Sequence, residues 1–307
     1  MEFAVSVARG LSDHPRRLES RFLYDAQGSD LFERICEQPE YYLTRTEASI
    51  LSAAASDIAE KTGDVALVEL GSGSSIKTRL LLDAYVERFG SARYTPVDVS
   101  SSALSVAETE IAAHCPQVDF DSVHGTYDDV FPRLEALSPC MLLFLGSTVG
   151  NLDHVETAAF WSRVATHLKP GDFCLLGVDT GEDPDVLHAA YNDAAGHSAA
   201  FTCNVFARMN RELGSSLDMD AIDHVARYVP HLRRVEIFGR FLEDQEIEIQ
   251  PLGHTLRVSR GEMILTEVSR KFRLRQLVPY LCTFGLVARH VYADRDRRVA
   301  VLLLERT

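Results

Sequence analysis

The chain has 307 residues, 46% hydrophobic and 25% charged, enough to bury a substantial core in one large domain or two modest ones. Its formal net charge of -14 repels phosphate backbones, which argues against nucleic acid as a partner and for a small-molecule substrate.

Residues up to about Asp57 read as helical. Ser29-Asp30 are placed to cap a helix through Leu31, Phe32, Ile35 and Cys36, which Pro39 ends. Thr46 is placed to cap a second helix with Ile50, Leu51 and Ile58 on its apolar face. Tyr24, Tyr41 and Tyr42 flank these turns, and each taken singly reads as a half-buried packing residue.

Val65 to Leu70 is an apolar run interrupted by Glu69, the pattern of a buried parallel strand. Gly71-Ser72-Gly73-Ser74-Ser75 follows as a small-residue turn, and Ile76, Leu80, Leu81 and Tyr85 are spaced for a helix. Strand, glycine turn and helix open a nucleotide-binding α/β unit. A dinucleotide fingerprint needs a third glycine where Ile76 stands, and the P-loop spacing is missing before Lys77-Thr78. A glutamate inside the first strand ahead of G-x-G is the usual opening of S-adenosylmethionine methyltransferases. The alternative is a glycine turn with no ligand.

Tyr94 to Val99 reads as a second strand ending at Asp98. A carboxylate there can accept both ribose hydroxyls of a nucleoside, or it can cap the next helix, which Ser101 and Ser102 could do as well. Val118 to His124 is expected as a third strand, followed by a turn at Thr126-Tyr127 that could hold an adenine ring. Met141 to Leu145 is a fourth strand and ends in Gly146-Ser147-Thr148-Val149-Gly150-Asn151. Asn151 offers a neutral donor and acceptor for a substrate amine, or an N-cap for the helix through Ala158 and Trp161. Phe173 to Val178 completes a β-α-β rhythm.

Beyond Asp183 the rhythm breaks. Helices are expected around Leu187 to Tyr191, over Ala200 to Glu212 and over Leu217 to Tyr228. Candidate strands follow at Leu232 to Phe241, Glu246 to Ile249, Leu256 to Ser259 and Met263 to Phe272, an antiparallel insertion. A helix over Leu274 to Phe284 and a closing hairpin of Val287 to Tyr292 and Arg298 to Leu304 complete a seven-stranded sheet. In the strand at Thr266-Glu267-Val268-Ser269, period two puts Glu267 and Ser269 on one face and turns Val268 toward the core.

The six cysteines, Cys36, Cys115, Cys140, Cys174, Cys203 and Cys282, form no C-x-x-C pair, so no metal site or redox motif is expected. The N-terminal segment has no apolar secretion-signal core, and no stretch approaches a membrane span. The expectations are a cytoplasmic protein with no membrane partner, acting as a monomer.

Six stretches in one order resemble the histidine-specific Nα-methyltransferases, the first enzymes of ergothioneine biosynthesis, and their fungal relatives acting on tryptophan derivatives. They are YDAQGSDLFERI at Tyr24, PEYYLTRTE at Pro39, VELGSGSSIKTR at Val68, FLGSTVGN at Phe144, AYNDAAG at Ala190 and TEVSRKF at Thr266. The resemblance implies a Rossmann-like class I methyltransferase domain over 45–181 and 272–307. It implies an α+β substrate-binding domain over 1–44 and 182–271. It implies S-adenosylmethionine as methyl donor, held by Gly71, Gly73, Lys77, Asp98, Thr126 and Tyr127. The substrate carboxylate falls to Tyr41 and Tyr191, the α-amine to Asn151, the imidazole to Glu267 and Ser269, and a pocket wall to Tyr24. No residue is expected to act as a dedicated base; Asn151 and Tyr41 position. Two positions depart from the pattern. Thr126 stands where relatives often carry aspartate, and Ile237 stands where methionine is expected. An N-methyltransferase for another aromatic amino acid is the alternative within this class. A non-catalytic nucleotide-binding module and an oxidoreductase are the alternatives outside it.

Overall fold

The computed structural model describes residues 1–307, which divide into two compact units. The smaller comprises Met1–Tyr42 and Asp183–Arg270, the larger Leu43–Glu182 and Lys271–Thr307. The helices are α1 (Glu2–Ser12), α2 (Ala26–Glu37), α3 (Tyr42–Thr62), α4 (Arg79–Phe89), α5 (Ser101–His114), α6 (Tyr127–Leu137), α7 (His154–His167), α8 (Pro184–Ala190), α9 (His197–Leu213) and α10 (Leu274–Cys282). The strands are β1 (Ala66–Leu70), β2 (Ala92–Asp98), β3 (Val118–Phe120), β4 (Val123–His124), β5 (Cys140–Phe144), β6 (Phe173–Asp179), β7 (Ile222–Val229), β8 (Arg234–Phe241), β9 (Gln245–Ile249), β10 (His254–Val258), β11 (Met263–Arg270), β12 (Leu286–Ala293) and β13 (Val299–Arg306).

The larger unit is built on one sheet in the order β12-β13-β6-β5-β1-β2-β3. The short β4 also pairs with β2, so β3 and β4 share the seventh position and the expected third strand is split in two. Strands β1, β2, β5 and β6 run parallel, and β13 is antiparallel to both β6 and β12. Every residue of β1 and β5 is buried, as expected where helices cover both faces of a parallel sheet. Trp161, Phe144, Leu176 and Leu302 lie in one continuous apolar core. The strand order reverses between β1 and β5, and ligands of open α/β sheets bind at the carboxyl ends beside such a reversal.

Helix α3 begins at Tyr42, so Thr46 lies inside the helix rather than at its cap. Helix α4 begins only at Arg79, and Ile76, 55% exposed, belongs to the preceding turn instead of the helix's apolar face.

The smaller unit holds α1, α2, α8 and α9, a three-stranded antiparallel sheet ordered β11-β8-β7, and the β9-β10 hairpin. Buried Phe201, Val205, Phe206, Met209 and Leu213 form the apolar stripe of α9. Gly239 in β8 makes room for it, because a Cβ there would stand 2.3 Å from the Phe206 ring. Helix α2 starts at Ala26, earlier than Ser29-Asp30, because Asp25 caps it through the Gly28 amide at 2.8 Å. Asn204 Nδ2 binds the same carboxylate at 2.7 Å and fastens α2 to α9.

The helix expected over Leu217 to Tyr228 is instead a single 3-10 turn, Met219–Ala221, followed by β7. The apolar residues there fit either period. The continuous ladder from Ile222↔Phe241 to Val229↔Arg234 decides for the strand.

Candidate functional site

The cradle of the larger unit starts at the end of β1. Gly71 and Gly73 take positive φ, +66° and +51°, which favours glycine at both. The Gly73 amide donates to Asp98 Oδ2 at 2.8 Å, and the Ser100 amide donates to Oδ1 at 2.8 Å. Both oxygens are thereby oriented, and each keeps a lone pair for a ligand hydroxyl. Burial raises the Asp98 carboxyl above its ordinary range, while these backbone bonds pull it down. The cap of α5 is Ser100, whose hydroxyl accepts from Ala103, so Asp98 is not needed for that task.

Beneath the glycine turn, buried Glu69 accepts from Thr78 Oγ1 at 2.6 Å and from the Tyr94 hydroxyl, which also meets Ser75 Oγ at 2.8 Å. This network ties both ends of the turn Ser75 to Thr78 to the sheet. Burial pushes the Glu69 carboxyl up to about 7 against those bonds.

Thr126 is the N-cap of α6, with its amide and hydroxyl both donating to Asp129 Oδ2 at 2.7 and 2.9 Å. The next residue, Tyr127, packs its ring edge-on to Phe144 at 5.5 Å. Its hydroxyl lies 3.4 Å from where a Gly71 Cβ would stand. Gly71, Gly73, Asp98 and Tyr127 therefore border one space, and a side chain at Gly71 would narrow it. The residues fit a nucleoside there: oriented carboxylate for the ribose, aromatic wall for the base.

The loop after β5 is shaped by Gly146 and Ser147, at φ +71° and +57°, and closes in a 3-10 turn that ends at Asn151. Ser147 Oγ accepts from the Asp179 amide at 2.9 Å, which ties the loop to the end of β6. There Asp179 and Lys271, fully buried, form an ion pair at 2.7 Å. The cap of α7 is Asp153, which accepts from Val155 and Glu156, both at 2.8 Å, while Glu156 returns a bond to the Asp153 amide at 2.7 Å. The half-buried Asn151 amide is therefore not the cap.

Lys77 is drawn to this loop by Glu47. The Glu47 carboxylate bonds the Lys77 ammonium and accepts from the Gly146 amide at 2.8 and 3.0 Å. Gly177 leaves room for it, since a Cβ there would lie 1.9 Å from Glu47 Oε1. Sequence reading gave Glu47 no role. Its signal was present: Leu43, Glu47, Ile50, Leu51 and Ala54 recur at helical spacing and all are buried.

The smaller unit brings together the other expected residues. The Tyr191 hydroxyl donates to Ser269 Oγ at 2.7 Å. The Tyr41 ring stands edge-on to Tyr191 at 6.2 Å. Phe32 meets Tyr41 at 6.3 Å and Tyr24 at 5.4 Å, and Tyr24 meets Phe201 at 5.2 Å. Phe32 and Phe201 were not singled out from sequence; Phe32 lies within the YDAQGSDLFERI stretch. Burial pushes the Tyr41 phenol well up, and Tyr191, Cys36, Tyr24 and Glu267 reinforce the shift.

His224 fixes the backbone of Tyr191. A carbonyl only accepts, so His224 Nε2–H donates to Tyr191 O at 3.0 Å, and Nδ1 accepts from Thr202 Oγ1 at 2.9 Å. Burial lowers the imidazole pKa, consistent with this neutral form.

Glu267 and Ser269 lie on one face of β11, opposite Ile237 and Val235 of β8. Val268 pairs with Glu236 on the other face, where Glu236 binds Arg227 at 3.0 Å and Arg234 at 2.5 Å. Val268 is half-buried beside an ion-pair cluster and does not point into the core.

A parallel sheet reversing beside a glycine turn, an acidic residue ending the second strand and an antiparallel closing hairpin define a class I S-adenosylmethionine-dependent methyltransferase. Over residues 3–306 the chain matches the family model described as histidine-specific methyltransferase, SAM-dependent, and it belongs to that family. It is 41% identical to the histidine N-alpha-methyltransferase of Mycolicibacterium smegmatis, over 94% of this chain and 90% of that one. The Mycobacterium tuberculosis protein of the same name is 40% identical, over 91% and 87%. The 4-dimethylallyltryptophan N-methyltransferase of Claviceps purpurea is 29% identical, over 60% of this chain and 57% of that one.

Proposed function

We propose that the protein methylates the α-amine of L-histidine in successive rounds to Nα,Nα,Nα-trimethyl-L-histidine, the first step of ergothioneine biosynthesis. The observation that carries this reading is the histidine-specific family match over residues 3–306. The side-chain chemistry agrees with it. Tyr41 takes the carboxylate through its phenol donor, and Tyr191 does so once its hydroxyl turns from Ser269 to the ligand; phenols bind an anion without burying an unpaired cation. Asn151 takes the α-amine. Glu267 accepts from an imidazole N–H, Ser269 contacts the same ring, and Tyr24 lines the pocket.

Gly71, Gly73, Lys77, Asp98, Thr126 and Tyr127 hold the methyl donor. When bound, S-adenosylmethionine supplies an electrophilic sulfonium methyl. In each round the amine lone pair forms the new N–C bond as the S–C bond breaks; the nitrogen gives up one proton to solvent before each of the three rounds, so all three protons of the α-ammonium leave and the product is a quaternary ammonium. The neighbouring cation disfavours the protonated amine, so no side chain has to serve as a strong base. Asn151 and Tyr41 act by orientation, and positioning of this kind supplies roughly 7–11 kcal/mol. Within this reading the protein works as a monomer in the cytoplasm; no helix is long and apolar enough to cross a membrane.

The test incubates purified protein with S-adenosylmethionine and each amino acid and follows the products by mass spectrometry. Three methyl additions to histidine are expected. Absence of any methyl transfer to histidine or its close analogues rules the assignment out. A second reading, a tryptophan-type substrate, is favoured by Ile237 opposite Glu267 and by the similarity to the Claviceps protein. A tenfold preference for tryptophan over histidine in kcat/KM, about 1.4 kcal/mol, would establish it.

A further inference from the structure

Strand β11 carries one residue more than the strand it faces. Leu265 pairs with Phe238 and Glu267 with Ile237, so Thr266 has no ladder partner of its own. Because side chains alternate with period two, one inserted residue reverses the face of every residue beyond it. With continuous pairing, Glu267 would stand opposite Glu236, a like-charge pair that opposes folding, on the face that carries Arg227. With the bulge, Glu267 and Ser269 stand on the face of Ile237, Val235 and Ala226, where Ser269 meets Tyr191.

The extra residue is held from both sides. Thr266, 1% exposed, donates its hydroxyl to Ile237 O at 3.1 Å. On the outer edge of the sheet, the Leu265 amide donates to Arg16 O at 3.0 Å and its carbonyl accepts from the Leu18 amide at 2.8 Å. The N-terminal segment thus straps the strand at the position where its register shifts.

We infer that Thr266 is a positioning residue for substrate discrimination: its hydroxyl fixes the bulge that aims Glu267 and Ser269 at the amino-acid side chain. The inference rests on the proposed reading that Glu267 contacts the imidazole.

Thr266→Val keeps the shape and β-branching and removes the donor; Thr266→Ser restores the donor. Both are compared with Glu267→Gln by measuring KM for histidine, KM for S-adenosylmethionine, the ratio of kcat/KM for histidine over tryptophan, and Tm. The expected result is a KM for histidine raised about three- to tenfold in Thr266→Val, with KM for S-adenosylmethionine within about twofold. The histidine preference should fall in the direction that Glu267→Gln moves it, and Thr266→Ser should recover both. Should Thr266→Val fail to fold, Thr266→Ala makes the same comparison. A lower Tm with an unchanged KM split and substrate ratio, while Glu267→Gln shifts both, overturns the positioning role and leaves the role of Glu267 standing. Unchanged kinetics in Glu267→Gln overturn the reading of Glu267 and this inference with it.

Discussion

Glu47, from a helix that enters the larger unit, and Lys77, from the glycine turn, share one buried junction. The carboxylate has no solvent exposure, bonds the ammonium and also receives the amide of Gly146. One side chain therefore couples the turn after β1 to the loop after β5, the two loops that flank the reversal of the sheet.

Glu47→Gln should loosen both loops at once. Breaking a buried pair costs about 3–5 kcal/mol, and the 22% exposure of the Lys77 side chain lets water offset part of that. A loss of about 1–3 kcal/mol in chemical denaturation is expected. Calorimetric titration should show weaker S-adenosylmethionine binding. An unchanged cofactor affinity in a folded variant would separate Glu47 from the donor site.

Glu267→Ala should raise KM for histidine far more than KM for the methyl donor, through loss of a charge-assisted contact of about 1.5–3 kcal/mol. Val268→Ala, on the opposite face of β11, should leave both KM values unchanged and act on stability alone. Steady-state kinetics with histidine and tryptophan check both. Wild-type kcat/KM and an unchanged substrate profile in Glu267→Ala would show that the carboxylate does not read the ring.

Glu69 should make stability depend on pH. Its folded-state pKa of about 7 lies above the ordinary value of 4.5, so the folded protein holds the proton more tightly than the unfolded chain. The stabilisation is full below pH 4.5 and is lost as pH rises through 7. The total is on the order of 3 kcal/mol. In Glu69→Gln the contribution disappears, so the Tm difference between wild type and variant should change between pH 5 and pH 8, in about that window. A difference that is flat with pH would mean the carboxyl titrates normally.

His224→Phe should displace the Tyr191 backbone by removing the bond to its carbonyl. Expected is a rise of about two- to tenfold in KM for histidine with KM for S-adenosylmethionine unchanged. His224→Gln, which keeps a donor amide, should recover part of it. Equal rises in both KM values would point to general loosening of the fold.

Much of the fold was legible because burial and periodicity coincide. The runs at β1, β5 and β6 are apolar throughout, as a doubly covered parallel sheet requires, and Gly71 and Gly73 mark a turn that few other residues accept. What was hidden depends on partners distant in sequence. Residues 217–228 carry apolar positions compatible with a helix, and only pairing with β8 makes them a strand. The outward face of Val268 follows from Glu236 and its arginines, which no local pattern reveals. The bulge at Thr266 leaves no trace in the alternation, since Glu267 and Ser269 remain two apart on either register. Glu47 was concealed by its own chemistry, because a carboxylate on a buried helical face reads as exposed until its cation is located.

Synthesis of the chain on the ribosome imposes an order on all this. The Leu23 carbonyl and the Asp25 cap wait for Asn204, 181 residues after Leu23, and the Arg16–Leu18 segment waits for Leu265. At roughly 5–20 residues per second, the first interval alone lasts about 10–35 s. Throughout it Phe3 of the nascent helix α1 has the nearby Phe22 ring to pack on at 4.9 Å, but α9 and β11 of its own unit are still missing, while the sheet of the larger unit is already being made. The window of vulnerability to aggregation and the demand for chaperones therefore fall on the first forty or so residues.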